Sequence, residues 1–192
     1  MSDAAGLILA STSPYRRELL TRLGLPFECI SPDFEEMPPG SMPPSELVQH
    51  NTLGKAWSVA KKFPQARVIG SDQLAVCGDT VLGKPGNHQA AVEQLNFLSG
   101  KAVDFLTGLT LIENGIEQYA CVTYRVVFRE LTDAEIESYL LADKPYDCAG
   151  SFKSEPLGIA LFDRMQSDDP TALMGLPLIT LSSWLKPLSS LR

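Results

Sequence analysis

Leu7-Ile8-Leu9-Ala10-Ser11-Thr12-Ser13-Pro14-Tyr15-Arg16-Arg17 decides how the chain is read. The apolar run Leu7 to Ala10 reads as a buried strand and Ser11 to Pro14 as a capping segment. Arg16 to Leu23 has helical spacing, which Gly24 ends. A strand passing directly into a helix belongs to layered α/β architectures, in which helices pack around a sheet.

The elements on either side extend that reading. Phe27 to Ile30 predicts a second strand, followed by a Pro-rich acidic loop from Pro32 to Pro44 that is longer than an ordinary connection. Ser45 to Phe63 predicts a long helix N-capped by Ser45, in which Gly54 costs roughly 1 kcal/mol relative to alanine. Arg67 to Gly70 reads as a short buried strand, and Gln73 to Cys77 with Thr80 to Leu82 as a small hairpin around Gly78-Asp79. A further helix is expected from Asn87 to Leu98. The long strand-like runs Ala102 to Glu113 and Ile116 to Phe128 flank Asn114-Gly115, a strong hairpin signal. Thr132-Asp133-Ala134-Glu135 matches a capping box opening a helix to about Ala142, Gly158 to Met165 reads as a strand, and Thr171 to Leu185 as mostly helical. No repeat or linker divides the 192 residues, so a single α/β domain over 1–192 with a central mixed sheet is expected, as one body or as two lobes around a cleft.

Composition narrows the function classes. Apolar residues make up 44% and charged residues 20%, the balance of a folded globular chain. A net charge of −7 opposes non-specific attachment to nucleic acid polymers or anionic membrane, which need a basic face. No apolar run approaches the ~18 residues of a membrane span, and no basic, apolar export signal opens the chain, so a cytoplasmic protein is expected. Cys29, Cys77, Cys121 and Cys148 lie far apart without zinc-type pairing and read as reduced and structural.

Four stretches carry candidate chemistry. In Ser11 to Arg17, hydroxyls, free N–H groups and two guanidiniums can converge on an anion, although the Gly-rich spacing of a Walker motif is absent; a capped helix with solvated arginines is the plainer alternative. In Val68-Ile69-Gly70-Ser71-Asp72-Gln73, a carboxylate follows a buried strand, where Asp72 can bind metal, act as a general base, or simply cap a turn. Leu82-Gly83-Lys84-Pro85 restrains Lys84 in a turn, where it can neutralise a phosphate or face solvent; Lys55 is similar on its helix. Tyr146 to Glu155 is dense in small, hydroxyl, cationic and acidic residues, as functional loops are. Glu35-Glu36 can hold a divalent ion or be solvated, His50 and His88 invite no role, and no Ser/His/Asp or Cys/His set supports covalent acyl transfer.

In order, Ala10-Ser11-Thr12-Ser13-Pro14-Tyr15-Arg16-Arg17, Lys55-Ala56, Gly70-Ser71-Asp72-Gln73, Gly83-Lys84-Pro85, Thr107-Gly108, Glu135-Ile136-Glu137-Ser138-Tyr139 and Cys148-Ala149-Gly150-Ser151-Phe152-Lys153-Ser154-Glu155 resemble the Maf family across nearly the whole chain. The resemblance implies an α/β fold with a deep cleft, related to the inosine triphosphate pyrophosphatases. It also implies a divalent metal, Mg²⁺ or Mn²⁺, hydrolysis of a nucleoside triphosphate to a monophosphate and diphosphate, and a homodimer. By family position Asp72 would accept the proton of the attacking water and, with Glu36, bind metal. Ser11, Arg16, Lys55 and Lys84 would contact phosphates. Gly-Ser-Asp-Gln and Ser-Phe-Lys-Ser-Glu resemble the branch that acts on 7-methyl-GTP, with Tyr15, Gln73 and Glu155 facing the base. The nearest alternatives are the dTTP/UTP branch and a non-catalytic nucleotide-binding regulator of cell division. One position departs: the residue before Lys55 is often acidic in the family, and Gly54 is expected to remove a carboxylate and loosen the helix.

Overall fold

The structure is a computed structural model that describes residues 6–153 and 157–186. Its seven strands form one mixed sheet in the order β2-β1-β3-β5-β6-β7, with β4 on β3, which establishes the expected α/β class. The chain clusters into two compact units: residues 1–73, 106–123 and 167–192, and residues 74–105 and 124–166.

In the first unit, β1 (Leu7–Leu9) lies parallel to β2 (Glu28–Cys29) and to β3 (Arg67–Cys77), pairing Leu7 with Arg67 and Leu9 with Ile69. Strand alternation sorts the core into two layers. Leu7, Leu9, Ile69, Leu109 and Leu111 pack with Leu19 and Leu20 of α1 (Pro14–Thr21) and with Leu181 and Leu185 of α5 (Leu178–Leu185). Ile8, Ala10, Val68 and Ile112 pack with Ala56, Val59 and Ala60 of α2 (Pro44–Ala60). Along β3, Asp72 therefore shares the α2 face with Val68, while Ser71 and Gln73 share the opposite face with Ile69.

In the second unit, the end of β3 pairs antiparallel with β4 (Thr80–Leu82), and β6 (Ile116–Phe128) with β7 (Phe162–Gln166). Phe128 and Phe162 pack edge-on with Phe152, and Phe152 with Phe105 of β5 (Ala102–Glu113), at centroid separations of 4.9 to 5.6 Å. Arg125 forks onto Asp104 at 2.6 and 2.7 Å. The helices here are α3 (His88–Leu98), N-capped by Asn87, and α4 (Asp133–Asp143), whose Thr132/Glu135 capping box forms as expected. The Asn114-Gly115 turn joins β5 to β6 with both φ angles positive, 53° and 76°, as a two-residue type I′ hairpin requires.

Several sequence expectations change. The helix expected from Ser45 begins at Pro44 after Pro43, and Ser45 makes no cap: proline at the first helical position supplies the helical φ and lacks an N–H that would go unpaired there. Arg67 to Cys77 is one strand rather than a strand and a separate hairpin arm, because Ser71, Asp72 and Gln73 find side-chain partners that let polar residues stay in it. Leu157–Leu161 is a 3-10 turn and the strand begins only at Phe162; a Cβ on Gly158 would lie 2.1 Å from the Lys153 carbonyl oxygen. The helix expected from Thr171 breaks after a 3-10 turn at Ala172–Met174, where Gly175 is left-handed at φ 96° and Pro177 precedes α5. Asp169, 2% exposed, accepts from the N–H groups of Thr171 and Ile179 and so ties the break to the start of α5.

Candidate active site

Three charged groups of the first unit meet on the α2 face of β3. The Lys55 ammonium lies 2.6 Å from Asp72 Oδ1 and 2.6 Å from Glu36 Oε1, a salt bridge to each. Both members of the Lys55–Asp72 pair are buried, at 11% and 8% side-chain exposure, whereas Glu36 is 56% exposed. Asp72 Oδ2 is buried without a hydrogen-bond partner among the described residues. A charged oxygen left in that state is costly unless a water, an ion or a ligand group meets it.

Arg16, on α1, stands within electrostatic reach of the two carboxylates. Burial pushes its guanidinium below the usual arginine range, while the nearby carboxylates of Asp72 and Glu36 pull in the opposite direction. Its Nε donates to the Gly175 carbonyl at 2.8 Å, which fixes the plane of the fork. The same carbonyl and that of Gly108 share the Ser71 hydroxyl, at 2.8 and 2.7 Å. Thus the turn at Gly175, set by Asp169 and Thr171, holds both the arginine and the strand carrying Asp72.

Ser11 is buried between β1 and α1, and its Oγ accepts from the Ser13 N–H at 3.2 Å. Ser13 is the N-cap of α1, accepting from the Arg16 N–H at 3.4 Å, with Pro14 at the start of the helix. Tyr15, in the first turn, is 50% exposed, which leaves its ring available for stacking. Gln73 sits on the other face of β3; its amide nitrogen donates to Thr107 Oγ1, Ala172 O and Leu173 O at 2.9 to 3.1 Å.

Of the residues expected from sequence, the fold brings Glu36, Lys55 and Asp72 together, with Arg16 within electrostatic reach of the two carboxylates and Ser11 at the entry to the helix that carries Arg16. Lys84 belongs to the second unit and is exposed, in a turn pinned by bonds from the Gly86 N–H to Tyr146 O at 2.9 Å and from Gln94 to Gly83 O at 3.2 Å. Glu155 lies outside the described residues. Three participants escaped the sequence reading. Asn51, 2% exposed, is one turn before Lys55 on the same face of α2 and accepts from the Met37 N–H at 3.0 Å. Phe34 packs on Gly54. The buried Tyr119 hydroxyl has its ionisation pushed well up by burial, then by the Cys121 thiol and the charge of Asp72. The i, i+4 spacing of Asn51 and Lys55 was the signal available for the first.

Residues 6–188 match the family described as Maf-like protein. The chain belongs to the Maf family. Among the relatives of this Maf protein are the 7-methyl-GTP pyrophosphatases of Polaromonas sp., 54% identical over 90% of this chain and 80% of that one, and of Nitrosococcus oceani, 50% identical over 94% and 92%. The protein of that name from Pseudomonas aeruginosa is 51% identical over 91% and 92%. With its family and relatives, the chain is an enzyme, a pyrophosphatase among the hydrolases of acid anhydrides.

Among the described residues no group of three or more His, Cys, Asp or Glu side chains is arranged to hold a metal, and no helix is long and apolar enough to cross a membrane. Glu36 and Asp72 nevertheless suit a hard divalent cation. Mg²⁺ is commonly held by one or two carboxylates, with water and substrate phosphate oxygens completing its shell, and Asp72 Oδ2 and the exposed Glu36 carboxylate are such donors.

Proposed function

We propose that this Maf protein hydrolyses 7-methyl-GTP to 7-methyl-GMP and diphosphate, by attack of water on the α phosphorus. The observation that carries the reading is the buried, unpartnered Oδ2 of Asp72 beside Lys55, Glu36 and Arg16. Asp72 accepts the proton of the attacking water. Arg16, fixed through Nε, turns its terminal N–H groups to the phosphates, and the Ser11–Ser13 segment at the start of α1 offers hydroxyls and N–H groups to the same anion. Lys55 and Lys84 neutralise further phosphate charge. Glu36 and Asp72 would hold a divalent cation, Mg²⁺ or Mn²⁺, which would supply charge neutralisation on the phosphates.

Selectivity follows from the base. Methylation at N7 makes guanine cationic, so stacking on the exposed Tyr15 ring gains a cation–π contribution of roughly 0.5–2 kcal/mol over an unmethylated purine. Glu155 accepts from the N1 and N2 donors, and Gln73 offers Oε1. The relatives' shared name supports this substrate. The four cysteines are free thiols, which suits a reducing cytoplasm.

The test is diphosphate release from 7-methyl-GTP, GTP, dTTP and UTP, with and without Mg²⁺ or Mn²⁺. The expected result is metal-dependent release with 7-methyl-GTP preferred, abolished by Asp72→Asn. A preference for dTTP or UTP reassigns the branch; tight nucleotide binding without turnover points instead to a regulator. Full activity in Asp72→Asn removes the assigned base.

A further inference from the structure

We infer that Gly54 and Phe34 form a seat that holds the Glu36 loop in register with Lys55, making both positioning residues for the acidic side of the site. The metal part of this inference rests on the functional reading above; the placement of Glu36 does not.

Gly54 lies inside α2, so no unusual φ requires glycine there. What requires it is proximity. A Cβ at this position would fall 2.1 Å from Cε2 and 2.2 Å from Cζ of Phe34, far inside van der Waals contact. The Phe34 ring thus occupies the space that any other residue at 54 would fill, lying against the helix backbone and tilted on His50 at a centroid distance of 5.8 Å. His50 and Gly54 are one turn apart on α2, as are Asn51 and Lys55.

The loop is fixed twice on that surface. Phe34 sits on Gly54 and His50, and three residues later the Met37 N–H donates to the buried Asn51 at 3.0 Å. Only Glu35 and Glu36 lie between these anchors, and Glu36 meets Lys55 at 2.6 Å. A carboxylate that is half exposed on a long, Pro-rich loop has little of its own to hold it in one place, since a solvent-exposed ion pair contributes little. The two anchors therefore set where Glu36 stands. The glycine that reads in sequence as a lost carboxylate and a loosened helix is the socket for the loop that delivers another carboxylate.

Opposite signs make this testable. On helix propensity alone, Gly54→Ala raises the melting temperature. If the added methyl group evicts Phe34, the loop is released. The experiment compares wild type, Gly54→Ala, Phe34→Ala and the double variant by thermal melting, by hydrogen exchange of the segment containing the Met37 amide, and by Mn²⁺ binding followed by electron paramagnetic resonance. Exchange of that segment is expected to accelerate at least about tenfold in each single variant. Mn²⁺ affinity is expected to fall about 10-fold, the lower end for loss of a group that orients a metal ligand. The Gly54→Ala change is expected to raise the melting temperature only when Phe34 is already replaced by alanine. A Gly54→Ala single variant that melts higher than wild type with loop protection and Mn²⁺ affinity unchanged would overturn the inference. If wild type itself binds no Mn²⁺, the metal assignment fails by itself, and the exchange and melting results still decide whether Phe34 on Gly54 holds the loop.

Discussion

Lys55→Met removes the ammonium that joins Asp72 to Glu36 while keeping most of the side-chain volume. The two halves of that bridge differ greatly in consequence. Glu36 is 56% exposed and returns to water, losing under about 1 kcal/mol. Asp72, at 8% exposure with Oδ2 already unpartnered, is left as a buried charge without its contact partner, a change that typically costs about 3–5 kcal/mol. The remaining attraction of Arg16 places the expected loss near the lower end, about 3 kcal/mol. For a chain of this length, at about 2–4 °C per kcal/mol, the melting midpoint falls by about 6–12 °C. Asp72→Asn in the Lys55→Met background removes the orphaned charge, so the double variant is expected to recover about 2 kcal/mol or more. Urea and thermal unfolding of the four proteins by circular dichroism, at neutral pH, complete the cycle. A Lys55→Met cost under about 1 kcal/mol, or a double variant no more stable than Lys55→Met, refutes the claim that these residues form a buried ion pair at the heart of the site.

Ser71→Ala deletes a fully buried hydroxyl shared by the Gly108 and Gly175 carbonyls, and is expected to cost about 1–3 kcal/mol in unfolding experiments. Because Gly175 also fixes Arg16, KM for the nucleotide is expected to rise in the same variant; an unchanged KM would separate that turn from phosphate binding. In the second unit, Glu135 is held down to about 2 by the Thr132 backbone N–H first, then by Arg129 and the Thr132 hydroxyl. A depressed carboxylate stabilises the fold fully above its ordinary value of 4.5 and loses that contribution as pH falls towards about 2. The difference in melting temperature between wild type and Glu135→Gln is thus expected to be constant above pH 4.5 and to close below it; a difference that persists unchanged in acid contradicts the assignment.

Features governed by neighbouring residues were legible in the sequence. Asn114-Gly115 adopts the turn its dipeptide demands and the Thr132 to Glu135 box closes on itself, because each device is complete within four residues. Glu36, Lys55, Asp72 and Arg16 are expected from family resemblance, and the fold brings the first three into contact. What sequence hid depends on contacts made at long range. Ser71, Asp72 and Gln73 interrupted the apolar pattern of β3 only until Gly175, Lys55 and Thr107 supplied their partners. Gly54 read as a weakness in α2 because Phe34, which fills its empty side, comes from a loop twenty residues away. Thr171 to Leu185 has the apolar content of one helix, yet the left-handed Gly175 and Pro177 break it to make the carbonyl that Arg16 and Ser71 share.

The central claim is that Asp72 directs water at the α phosphorus of 7-methyl-GTP. Hydrolysis in ¹⁸O-labelled water, with both products weighed by mass spectrometry, tests it most directly. One ¹⁸O atom is expected in 7-methyl-GMP and none in diphosphate, with both products lost in Asp72→Asn. Label appearing in the diphosphate, or labelled 7-methyl-GMP still forming at the wild-type rate in Asp72→Asn, would contradict it.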